Sequence, residues 1–137
     1  MTKGKEETIE KIKHAALDEF YDKGYVKASL MQFILKHRKE TIVIMEKAQG
    51  SCYEQFHVKI EQMMEQSFYM YYQNRLGTAP DKGLIRILAK QRLDSCLEIV
   101  KEDYDMEYSM YLVEQTGIYA EGGTEKLIKN LKELHSR

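Results

Sequence analysis

Tyr111-Leu-Val-Glu-Gln-Thr-Gly-Ile-Tyr-Ala-Glu-Gly-Gly-Thr-Glu-Lys-Leu-Ile128 decides how this chain is read. Together with Tyr108, the residues Tyr111, Leu112 and Tyr119 give a helix over Asp105 to Ala120 a face of large side chains. Gly117 and Ala120 leave another side of it open to close approach. Asp105 is placed to cap the first turn, since a short carboxylate accepts from the free N–H groups there. Gly122-Gly123 predicts a break, because glycine gives up more backbone freedom in a helix than any other residue. Thr124 would then cap a last short helix to about Leu134.

The residues upstream read the same way. Leu84 to Glu102 is a helix apolar on more than one side, and such a helix needs two packing partners. Arg75 to Gly83 holds Gly77, Pro80 and Gly83 and is the clearest loop. Before it, Phe56, Ile60, Met63, Met64, Phe68, Tyr71 and Tyr72 line one broad face of a helix ending near Asn74. Ser51 with Glu54 makes a capping box for that helix. Met31 to Ala48 reads as one further helix, and Thr8 to Lys23 as the first, closed by Gly24. With a single proline, Pro80, and glycines mostly at breaks, the fold class is all-α.

A chain of 137 residues is one domain, or one domain and a short arm. Its 21 basic and 22 acidic residues leave a formal charge of −1, so no global excess draws it to nucleic acid or to an anionic membrane. The polar start has no signal-peptide apolar region, and no apolar run nears the ~20 residues of a membrane helix. Cys52 and Cys96 are far apart and fit free thiols in a reducing compartment. A cytoplasmic protein that does not enter the membrane is expected.

Enzymatic constellations do not emerge. Cys52 and His57, five apart, do not share a helical face. The four histidines are scattered, and neither they nor the cysteines have metal-ligand spacing, so no metal, no cofactor and no catalysis are expected. The run Lys36-His37-Arg38-Lys39 reads as solvated surface charge. The richest feature is the Met and Tyr content. Methionine adapts its shape, and tyrosine joins an apolar body to a polar tip, so both suit pockets for apolar or aromatic molecules as well as ordinary core.

The segment Thr8 to Ser29, with Ile12, Ala15, Ala16, Phe20, Gly24, Tyr25 and Ser29, resembles the first helix of the DNA-binding domain in the TetR family of bacterial transcription regulators. The Ile34-Leu-Lys-His-Arg-Lys-Glu40 run, the Gly50-Ser51 step and Tyr53-Glu-Gln-Phe56 are similar to the first half of that family's regulatory domain. Residues 84–130, with Gly122-Gly123, resemble its last helices. The departure from the family is large. Leu30 is followed directly by Met31, and the two short helices of the helix-turn-helix are missing between them. No glycine or proline lies between Ser29 and Gln49 to make the turn such a motif needs.

The resemblance implies a remnant of the DNA-binding domain over 1–30 and a ligand-binding and dimerisation domain over 31–137, a TetR-like regulatory bundle that dimerises through its last long helices. It implies a homodimer, a small apolar or aromatic effector held near Met63, Met64, Phe68, Tyr71, Tyr108 and Tyr111, and an interface near Ile85, Leu88, Arg92, Cys96, Ile99, Tyr111 and Ile118. Operator DNA is a partner only where the polypeptide carries the helix-turn-helix, and no DNA-contacting residue is carried over. Two functions follow. One is a regulator whose helical domain senses the effector and controls operator binding. The other is a DNA-free module that binds ligand and dimerises.

Overall fold

The computed structural model describes residues 28–46 and 55–135, and in addition Glu7 and Lys11 of the N-terminal segment. Among the described residues there are five helices and no strand: α1 (Ala28–Lys36), α2 (Arg38–Glu46), α3 (Phe56–Leu76), α4 (Lys82–Lys101) and α5 (Met106–His135). The fold is all-α. The expected helix over Thr8 to Lys23, the Ser51–Glu54 capping box and Cys52 fall outside the described residues, Lys11 excepted.

The helices α3, α4 and α5 form an up-down-up bundle. Gly77 closes α3 in the left-handed conformation, φ 76°, and its N–H donates to the Gln73 carbonyl at 2.9 Å. A side chain there would pay for that conformation, which is why glycine stands at this turn. Asp81 caps α4, its carboxylate accepting from the Leu84 N–H at 2.8 Å. Asp105 does the same for α5, accepting from the Tyr108 N–H at 2.8 Å, as the sequence led one to expect.

Three apolar clusters run along the bundle. Ile44 and Met45 of α2 meet Phe56, Ile60 and Met64 of α3 and Ala89 and Leu93 of α4. At one end Met31 and Leu35 of α1 pack on Ile99 and Val100 of α4. At the other end Tyr72, Ile85 and Ile128 close the bundle.

Two expectations about local structure are corrected. Residues 31–48 are not one helix, because the chain breaks at His37, whose N–H donates to the Ile34 carbonyl at 3.0 Å in a tightened turn. Nor does Gly122-Gly123 break the last helix, since α5 runs through it to His135. The contacts beyond the glycines explain this. Ile128 is buried, the Tyr72 hydroxyl bonds Thr124, and Arg75 grips Glu125 with two bonds of 2.8 Å. Those contacts outweigh the roughly 1 kcal/mol that each helical glycine costs.

The Arg75–Glu125 pair also makes a measurable prediction. The bond to Arg75 holds the Glu125 carboxyl below the ordinary glutamate range. A depressed carboxylate stabilises the fold above its unfolded value and loses that contribution as pH falls through its folded value. In an NMR titration the Glu125 side chain should therefore protonate at lower pH than a free glutamate. In Arg75→Ala its midpoint should move up; an unchanged midpoint would refute the assignment.

Candidate functional site

The six residues expected around an effector fall into three places. Met64 is 1% exposed and sits in the first apolar cluster, with half-buried Phe68 packed against it and Met63 half-buried on the same helix. Tyr71 is exposed, its hydroxyl accepting from the Arg75 guanidinium at 2.7 Å, with that cation 5.6 Å from the ring centre. Tyr108 and Tyr111 stand on the outer face of α5. There Tyr104 meets Tyr108 edge-on at 4.8 Å and Tyr108 stacks on Tyr111 at 6.1 Å. A buried tyrosine must find a partner for its hydroxyl, as Tyr72 does in Thr124, whereas the hydroxyls of the exposed ladder are open to water.

An open cleft of about 380 Å³ lies between α3 and the start of α4. Gln62, Glu65, Gln66, Tyr69, Lys82 and Ile85 line it, a largely polar set. Helical spacing on the apolar side of α3 did not single out Gln62, Glu65, Gln66 or Tyr69, which lie off that side, whereas Ile85 on α4 was expected at a subunit interface and is buried.

The residues expected at a subunit interface are also divided. Ile85 and Ile99 are buried within the chain's own clusters. Leu88 packs beside Leu127 and Leu131 of α5. Cys96 joins the cluster around Ile99, and burial pushes its thiol pKa up. Arg92 Nη2 lies 3.9 Å from the point where a Cβ on Gly117 would stand, an ordinary contact distance that brings the guanidinium against α5. Ile118 is 58% exposed, next to Tyr119 at 85%. Ile87 on α4 is exposed as well.

The best-connected polar side chain is one the sequence did not single out. Arg38, at the start of α2, reaches the end of α4 and the start of α5. Its Nη1 donates to the carbonyls of Ile99 at 3.2 Å, of Val100 at 3.1 Å and of Glu102. Its Nη2 donates to the Tyr104 carbonyl at 2.9 Å and to Ser109 Oγ at 2.6 Å. Carbonyls at a helix C-terminus have no intrahelical donor and carry partial negative charge, and a guanidinium meets both needs. Within the run Lys36-His37-Arg38-Lys39, only Lys36 and Lys39 are exposed, so Arg38 is a structural cap and not surface charge.

His57 Nδ1 lies 2.7 Å from the Met45 carbonyl, which makes that nitrogen the donor, and its Nε2 lies 3.0 Å from Glu61. The bond to Met45 ties the start of α3 to the end of α2, while the Glu61 contact stays within α3. Among the described residues no group of three or more His, Cys, Asp or Glu side chains is placed to hold a metal ion. No described helix is long and apolar enough to cross a membrane. No protein-family model matches the chain, and neither the curated proteins nor the solved structures contain a match.

Proposed function

We propose that this chain is the effector-sensing and dimerising part of a TetR-like transcriptional regulator working in the cytoplasm. The observation that carries the reading is the uncovered apolar face of the last two helices. Tyr108, Tyr111, Ile118 and Tyr119 on α5, Tyr104 in the turn before it and Ile87 on α4 are all large, apolar in body and exposed. Scattered surface apolar residues need no explanation, but a contiguous row on one helix face marks an interaction site. A second copy covers the part of this row from Tyr111 to Tyr119 in a homodimer. The effector is a small apolar or aromatic molecule bound among the methionines and aromatics of α3. Its binding biases two arrangements of the dimer, which is a population shift. Operator DNA is a partner only where the polypeptide carries the helix-turn-helix that the family places between the segments ending at Leu30 and beginning at Met31, two residues that are adjacent in this sequence.

The alternative is a DNA-free module that dimerises and binds ligand, and the unbroken passage from Leu30 into Met31 within α1 favours it. Specific retardation of operator DNA by this polypeptide would exclude it.

The dimer is tested with the double variant Ile118→Glu/Tyr119→Glu. Light scattering is expected to find twice the 16.2 kDa chain mass for the parent and the single chain mass for the variant, with helical circular dichroism retained in both. A variant that keeps the parent's mass would refute the interface.

A further inference from the structure

The outer face of α5 is organised by charge as well as by apolar residues. Tyr104, Tyr108, Tyr111, Gln115, Ile118 and Gly122 follow one another at alternating spacings of four and three, so they form one seam. Glu107, Glu114 and Glu121 accompany that seam seven residues apart, all exposed. Beyond it the sign reverses, and Lys126, Lys129 and Lys132 are exposed around the same side. Glu125 between the two halves is already neutralised by Arg75. Glu133 is exposed in the second half as well, so the helix surface is acidic towards its start and net basic towards its end.

Gly122 lies where the sign changes, at the end of the seam. It is exposed, and a Cβ built on it meets nothing within 4 Å. The chain's own packing therefore gives no reason for glycine at a helical position where it costs stability relative to alanine.

We propose that two copies of α5 cross antiparallel at Gly122. The inference rests on the homodimer reading and adds its geometry. An antiparallel pair places the acidic half of each helix against the basic half of the other, whereas a parallel pair would set like charges together. With the crossing at Gly122, Glu114 comes beside the partner's Lys129 and the partner's Lys132, and two-fold symmetry makes each pair twice. The missing side chain lets the two backbones approach at the crossing, and Ile118 and Tyr119 pack on either side of it. The partner is a second copy of this chain because the face is complementary to itself.

The test uses the full chain with Gly122→Cys, Gly122→Leu and a charge reversal. A thiol on the two-fold axis meets its own symmetry mate. With diamide as the oxidant, Gly122→Cys should give a disulfide-linked dimer, and peptide mapping should find the bond between the two introduced thiols. In sedimentation equilibrium Gly122→Leu should weaken association at least about tenfold, since the added side chain overpacks the crossing, while helical circular dichroism is retained. Glu114→Lys should weaken it about tenfold, and adding Lys129→Glu and Lys132→Glu should restore it. If the parent is dimeric but the introduced thiols do not pair and Gly122→Leu associates like the parent, the crossing is wrong and the homodimer stands. If the parent is monomeric at every concentration, the homodimer reading fails and the crossing with it.

Discussion

Arg38→Ala is expected to lower stability by about 3 kcal/mol, which is near the strength of one or two charge-assisted hydrogen bonds lost without replacement. Five acceptors on residues 61 to 71 positions away converge on this guanidinium. Some of the carbonyls it leaves would be rehydrated, because the Glu102 and Tyr104 ends of the network are exposed. Those of Ile99 and Val100 are partly buried, and Ser109 is fully buried, so their loss is not made good by water. Arg38→Lys should recover only a minority of the loss, since an ammonium is a point charge and cannot fork between Nη1-type and Nη2-type acceptors. Urea unfolding followed by circular dichroism measures both. A loss below about 0.5 kcal/mol for Arg38→Ala, the range of an ordinary surface change, would show that the cap does not form.

Met64→Ala carries the other large effect, about 3 kcal/mol, within the range found for removing a long apolar side chain from a packed core. Met64 is enclosed by Ile44, Phe56, Ile60, Ala89 and Leu93, so three helices lose contacts together. Met63→Ala next to it should cost clearly less, because Met63 is only half-buried. The comparison separates core from surface on one helix by a single step in sequence, and urea unfolding of the two variants would decide it. Equal losses would mean that α3 presents a different face to α4. Tyr108→Ala should change stability by less than either, since its ring is exposed.

These expectations show what the sequence could and could not carry. The helical class was legible because it depends on local preferences: one proline, a loop marked by Gly77 and Pro80, and Asp105 at the first turn of α5. The inward set on α3 was legible from spacing, and Phe56, Ile60, Met64 and Tyr72 are buried. What failed was local inference overruled from a distance. The glycine pair at 122 and 123 signals a break, yet Tyr72, Ile85 and Arg75 hold the residues after it in one helix. Arg38 looked like part of a run of surface charge, because its five acceptors lie on α4, on α5 and in the turn between them. Both α3 and α5 carry methionine and tyrosine at helical spacing. Only the packing of the helices separates Met64 and Phe68 inside from Tyr108 and Tyr111 outside.

The placement of those tyrosines bears on function as well as on fold. An aromatic row that is not used by the chain's own core is available to a second copy, and the charge reversal along α5 gives that copy an orientation. The sensing role and the dimer are therefore separable in experiment, since core variants such as Met64→Ala act on the fold while Ile118→Glu/Tyr119→Glu acts on association.

The measurement that tests the central claim most directly is a native mass spectrum of the purified polypeptide at neutral pH. The account predicts a principal species at twice the 16.2 kDa chain mass, converting to the single chain mass when Ile118 and Tyr119 are both replaced by glutamate. A principal species at the single chain mass for the unaltered polypeptide would contradict it.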